Sequence, residues 1–337
     1  MQSQTVTKYK FKKLTIMESV TLTTETNVKD LVAKILVNHG LDFSIEKLPM
    51  FGELSRTFTT IGENGTLVLN TTKESIVSDY YGLMNSKSRN IINTVKAGYT
   101  VTQNDEIIET VVRGMQGFGE LSVQKAGSIN DGRKVFIQLK IEGLAKVGND
   151  SIERYITIID SNDGSTGLSV GCGDLTMSCQ NQFFKFYKKG TAKFLHTASI
   201  TEKIKALPEL ITLALSESME LIKLYNKFQS TPVTRALCDQ LVKELVGLDK
   251  TASAKELSDA SGKQLKAMET LYSNIENQTN DKGLNLWGLH SGTTRWTTFE
   301  KQSPKRENGR IESSMMGTNY NTNQQSLDFC IKQLELV

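Results

Sequence analysis

Nowhere in the 337 residues do about twenty apolar residues follow one another, the length that crossing a bilayer demands. The longest apolar stretches, such as 135–137 and 155–159, are strand-sized. Cysteine is scarce: Cys172, Cys179, Cys238 and Cys330 contain no CxxC, and the spacing of the first two suits neither a zinc knuckle nor a redox dithiol. Free thiols are expected. The three histidines, His39, His196 and His290, have no second His or Cys at ligand spacing, so an imidazole metal centre is not expected; a carboxylate site stays open. There is no P-loop, GxSxG, HExxH or dinucleotide fingerprint, and no cofactor is expected. The opening MQSQTVTKYKFKKLTI has no apolar core and no small-residue cleavage site. A chain of the cytoplasm, with no membrane partner, is the expectation.

What is present is a globular composition, 38% hydrophobic and 23% charged, with 40 basic against 37 acidic residues. A net charge of +3 decides nothing by itself; where the lysines gather matters more. Periodicity predicts helices over 28–38, stopped by Gly40, and over 105–115, capped by Asn104. Alternation over 43–70 predicts short strands or a hairpin turning at Asn64-Gly65. Strands are expected at 121–125, 133–141, 154–160 and 168–170, two of their connectors containing Asp-Gly, the chemistry of a tight turn. Beyond residue 200 the pattern is helical: one long helix over 201–228, others over 232–245 and 253–278, one around Trp287, a loop to about 323, then a closing helix. The fold class is α+β, an antiparallel sheet packed with helices and followed by a mainly helical C-terminal half. The expected division is a basic arm at 1–20, an α+β core at 21–200, a helical segment at 201–280, and a segment at 281–337 packing back on the core.

One segment stands out chemically. Lys185, Lys188, Lys189, Lys193, Lys203 and Lys205 face a single acid, Glu202, with Phe183, Phe184, Phe186, Tyr187 and Phe194 interleaved. Single-stranded nucleic acid is bound by this combination, ammonium groups meeting phosphates and rings stacking on bases. The bland alternative is a helix with its rings in the core and its lysines in water. Lys8, Lys10, Lys12 and Lys13 repeat the pattern near the start, where a solubilising tail is the simpler reading. Trp287 and Trp296, with Arg295, Lys305, Arg306 and Arg310, form a second basic-aromatic stretch in which anchoring suits the tryptophans. Asp160, Asp163 and Asp174 could form a magnesium site at strand ends, against a plain hairpin turn.

Tyr99 followed by Gln103-Asn104, Ala126-Gly127 before Gly132-Arg133, the Asp163-Gly164-Ser165 turn, Cys179-Gln180-Asn181, His196-Thr197 and the Trp287 to His290 stretch occur in a familiar order. Together they resemble the phage/plasmid-like protein family known as domain of unknown function 932, over about residues 43–335. The chain departs from it at His290-Ser291, where that family carries Asn-Ala, and at Thr176-Met177, where it carries Arg-Val. The resemblance implies a phage or plasmid setting, hence the host cytoplasm, and suggests DNA transactions. It points to Gln103, Asn104, Arg133, Asp163, Ser165, Gln180, Asn181, His196 and Thr197 as site residues.

Three functions follow as expectations. The first is a non-enzymatic protein that binds single-stranded DNA and promotes annealing in replication or recombination. Lys185, Lys188, Lys189, Lys193 and His196 would then meet phosphates, and Phe186, Tyr187 or Phe194 would stack. The second is a metal-dependent nuclease using Asp160, Asp163 or Asp174. The third is a regulatory protein whose helical half offers partner surfaces. Oligomeric state is open, a homo-oligomer included.

Overall fold

A computed structural model describes residues 25–115, 121–178, 180–186, 193–249, 260–305 and 309–336. Helix α1 (Glu25–Asn38) buries Val28, Leu31, Val32 and Ile35 along one stripe. It ends where Gly40 takes φ +65° and the Leu41 amide closes onto the Leu36 carbonyl. Strands β1 (Ile45–Ile61) and β2 (Leu67–Asn85) form an antiparallel hairpin, and β3 (Ile91–Lys96) pairs with the far end of β2. The turn falls at the Asn64-Gly65 expected from sequence, with Gly65 at φ +73°. The strands run far beyond the short elements that alternation predicts.

Helix α2 (Asn104–Met115) precedes a six-stranded antiparallel sheet: β4 (Leu121–Ile129), β5 (Lys134–Val147), β6 (Asp150–Ser161), β7 (Leu168–Thr176), β8 (Gln182–Phe186) and β9 (Lys193–Phe194), in the order β4-β5-β6-β7-β8 with β9 also on β7. The β4–β5 turn places Asn130, Asp131 and Gly132 at positive φ. Only glycine fits at 132, since a Cβ there would stand 2.6 Å from the Phe43 ring.

The helical half comprises α3 (Ile200–Ile204), α4 (Leu207–Ser230), α5 (Arg235–Leu245), α6 (Gly262–Lys282), α7 (Leu286–Phe299), α8 (Gly309–Met316) and α9 (Thr318–Glu335). The single helix expected over 201–228 is two, because Pro208 takes the first turn of a new helix. The loop expected to run to about 323 is largely α8 and the start of α9. Among the described residues, no helix is long and apolar enough to cross a membrane.

One face of the sheet carries Val135, Ile137, Leu139, Ile156, Ile158 and Val170 against α1, α2 and α4. Each fully buried aliphatic side chain contributes about 1.5–3 kcal/mol. A second core joins Val147, Ile152, Cys172 and Phe183 of the sheet to Tyr225, Leu241, Trp287 and Leu289 of the helices. Cys172, Cys238 and Cys330 are buried free thiols. On the opposite sheet face, Ile129, Phe136, Ile159 and Phe184 pack with Met315 of α8, leaving much of that face open.

Candidate nucleic-acid interface

Where the aromatic-lysine segment is described, it is strand and not the helix considered above. Residues 182–186 are strand β8, so successive side chains alternate between faces. Phe183 goes inward, edge-on to the rings of Tyr225 and His290, and is 1% exposed. Lys185 shares that face and pairs with Glu217 of α4 at 3.2 Å. Phe184 turns to the other side of the sheet and is also buried. Phe186 and Lys193 are strand positions, and Phe194 is half-buried, 6.0 Å from the Lys203 ammonium. Tyr187, Lys188 and Lys189 lie outside the described residues.

The polar positions drawn from the resemblance are scattered. His196 is buried in a nest: its Nε2 lies 2.8 Å from Asp160 Oδ1, its Nδ1 3.2 Å from the Thr100 carbonyl, and its ring stacks on Tyr99 at 4.9 Å. Burial alone would lower its pKa, but the hydrogen bond and charge of Asp160, with the Thr100 carbonyl, raise it. Both ring nitrogens face acceptors, an arrangement that favours the protonated ring. Gln103 bonds the backbone N–H and carbonyl of Ile45, each at 3.0 Å. Asn104 donates to the carbonyls of Leu41 and Phe43. Asn181, buried, donates to the Ser291 carbonyl at 3.1 Å. These four fasten one segment to another and present little to a polynucleotide. Arg133 and Gln180 are exposed, but at opposite ends of the sheet. About nine residues of β6 at ~3.3 Å each put roughly 30 Å between those ends.

The three carboxylates are likewise not assembled. Asp160 serves His196 and accepts from Thr102 Oγ1. Asp163 accepts from the Ser165 amide, closing its own turn, and stands 3.5 Å from Lys134. Asp174 accepts from the Tyr225 hydroxyl at 2.9 Å, and burial pushes its pKa up to about 7 against that bond. Asp174 opposes Arg154 in register, six residues along β6 from Asp160, which separates the two by roughly 20 Å. Among the described residues, no group of three or more His, Cys, Asp or Glu could hold a metal ion.

The constellation with open chemistry lies on the other face. A cavity of about 300 Å³ opens between the sheet and α8, lined by Gln124, Lys125, Gln138, Tyr155, Gln182, Phe184 and Ser314 among others. A β-bulge makes it. Val123 and Ala126 both pack into the main core, three residues apart, which strict alternation forbids; the register slips between Val123 and Lys125. The slip turns Lys125 out of the core and onto the face of Gln138, its cross-strand partner.

There the ammonium is half-buried, 5.9 Å from the Phe136 ring, and burial lowers its pKa. On neighbouring strands Lys134 pairs with Glu312, Lys140 with Glu153 and Lys185 with Glu217. Among the described residues Lys125 has no carboxylate. Beside it His39 is disfavoured as a cation: burial lowers its pKa, opposed by a hydrogen bond with the Ala126 backbone and reinforced by the Lys125 charge. The cavity thus offers one unspent cation, the amides of three glutamines and two aromatic walls, beside Asp174, Ser314 and the apolar Leu175, Ile311 and Met315. Of the residues lining it, the sequence points to Phe184 in the aromatic-lysine segment and to Asp174 as a candidate carboxylate, but not to Lys125 or the glutamines. The legible signal was Val-Gln-Lys-Ala at 123–126, a break in alternation inside an expected strand.

No curated protein and no solved structure matches the chain. One family model does, over residues 91–327, from the first residue of β3 into α9. The match takes in the cavity and the histidine nest, and it spans well over half of the 337 residues. The chain therefore belongs to the family described as domain of unknown function (DUF932).

Proposed function

We propose that this protein binds single-stranded nucleic acid, DNA in the first instance, and seats one nucleotide in the cavity above β4–β8. The supporting observation is Lys125: a half-buried ammonium with no carboxylate partner among the described residues, in a cavity it shares with three glutamines, Tyr155 and Phe184, with Asp174 and the apolar Leu175, Ile311 and Met315 completing the lining. A phosphate supplies the missing counter-charge. Glutamine amides carry both donors and acceptors, which matches the edge of an unpaired base. At about 300 Å³ the cavity lies at the small end of ligand sites, so it takes a single nucleotide and no duplex. Of the basic stretch, Lys185 lies on β8, a strand that also lines the cavity, and is already matched by Glu217. The setting we infer, replication or recombination of a phage or plasmid in its host's cytoplasm, rests on the family resemblance alone.

A fluorescence-polarisation titration of a labelled single strand of about 16 nucleotides tests this. Binding should be tighter than to the same sequence as duplex and should weaken at least tenfold between about 50 and 200 mM salt. Lys125→Ala should weaken it further and reduce the salt slope by about 0.7–1, the share of one phosphate. No binding at the lower salt, or an unchanged affinity and slope for Lys125→Ala, removes the reading.

A further inference from the structure

The β1–β2 hairpin leaves the body of the protein. Its base is secured: β2 pairs with β3 from Tyr80 to Met84, and Lys47 donates to the carbonyls of Ala97 and Tyr99. Between Pro49 and Phe51 the β1–β2 register breaks, and from there to the turn nearly every residue of both strands is exposed. Eleven large apolar side chains of this arm are among those exposed, Ile61 and Leu67 at 76% each. A two-stranded ribbon alone in water is marginal, and apolar patches of this extent mark interfaces. The arm also lies outside the stretch matched by the family model.

Cross-strand register sorts the side chains onto two faces. One face carries, from base to tip, the pairs Phe51/Val77, Glu53/Ser75, Ser55/Lys73, Thr57/Thr71, Thr59/Leu69 and Ile61/Leu67. It is apolar at both ends and polar between, with Glu53 and Lys73 in an ion pair at 2.9 Å. Such a face is complementary to itself under a two-fold axis: turned end for end, the base pair of one copy meets the tip pair of the other, and polar rows meet polar rows. The opposite face carries Leu54, Phe58, Val68 and Ile76. From residue 49 to 80 there are two basic and four acidic residues, the wrong balance for a polyanion.

We propose that this arm joins two copies of the chain, the Phe51/Val77 base of each packing on the Ile61/Leu67 tip of the other. Ten residues at ~3.4 Å, on a ribbon about 10 Å wide, give each face roughly 340 Å². A stable interface buries about 800 Å² per partner, so one face is too little and the pair of faces close to enough. The face of Leu54, Phe58, Val68 and Ile76 therefore also lies against the second copy.

Light scattering coupled to size exclusion should find the full-length protein dimeric at micromolar concentration. The triple variant Phe51→Ser/Ile61→Ser/Leu67→Ser should run at half that mass with an unchanged melting temperature, since these side chains take no part in the monomer's core. A second variant is independent of that stability: with Phe51→Cys/Leu67→Cys, the new thiols sit roughly 34 Å apart within one arm, far beyond the ~7 Å reach of a disulfide, so oxidation can link only two copies. A covalent dimer on a non-reducing gel is expected. A monomeric wild-type protein, a dimer indifferent to the triple variant, or thiols that never cross-link would each overturn the proposal.

Discussion

On the helix-covered face of the six-stranded sheet, charge is spent: Asp160 holds His196, Asp174 accepts from Tyr225, and Lys185 meets Glu217. On the opposite face Lys134 and Lys140 also have carboxylates, but Lys125 keeps its ammonium free among the described residues while losing part of its hydration. The difference follows from what covers each face. Under α1, α2 and α4 an uncompensated ion would cost several kcal/mol, and His196, Asp160 and Lys185 each have a partner there. Beside the open cavity, water or a ligand still reaches the ammonium, and an unmatched charge is tolerated. Pairing serves stability under the helices, and on the open face Lys125 is left with a charge that the proposed ligand would meet.

The sharpest way to break this comparison is to remove a partner on the covered face. His196→Ala strands the Asp160 carboxylate with only the Thr102 hydroxyl, and the loss should be about 3–5 kcal/mol in urea unfolding. A loss under 1 kcal/mol would mean that the nest is not a buried ion pair.

A second, smaller effect separates two buried histidines. His290, boxed by Phe183, Tyr225, Phe228 and Trp287, has its pKa lowered by burial from 6.5 to about 3. The unfolded chain takes up its proton below pH 6.5 and the folded chain does not, so stability falls with acidity by about 1.4 kcal/mol per unit, about 2 kcal/mol at pH 5. His196 has the opposite sign. Its raised pKa gives a contribution complete below 6.5 and lost as pH rises through the folded value. Unfolding curves from pH 5 to 8 for the wild type and His290→Gln check this: the variant should lose the acid-limb slope, and an unchanged slope would reassign it.

The smallest effect concerns the open face. Lys125→Ala should move the unfolding free energy by no more than about 0.5 kcal/mol, because no ion pair is lost. A loss of 2 kcal/mol or more would make Lys125 a structural cation and erase the contrast between the faces.

Much of the architecture was legible in advance. Asn64-Gly65 and Asn130-Asp131-Gly132 announce turns because their backbone must enter the left-handed region, a local demand. The stripe Ile107, Ile108, Val111, Val112 announces α2 in the same way. The site was much less legible. The aromatics at 183 and 184 suggested stacking, but their burial depends on which face of β8 each takes and on what lies across from it, Tyr225 and His290 from one direction and Met315 from the other. Gln103, Asn104, Asn181 and His196 were noticed for their polarity. Their partners lie 36 to 110 residues away, and that distance hides their fastening role.

By itself, then, the order of residues determined the α+β class, the antiparallel pairing and the positions of its turns, since these answer to neighbours within a few residues. Only tertiary structure decided which lysine goes without a carboxylate, which rings are hidden, and that a long hairpin carries its apolar residues into solvent. Those are properties of what stands opposite a side chain once distant segments have packed.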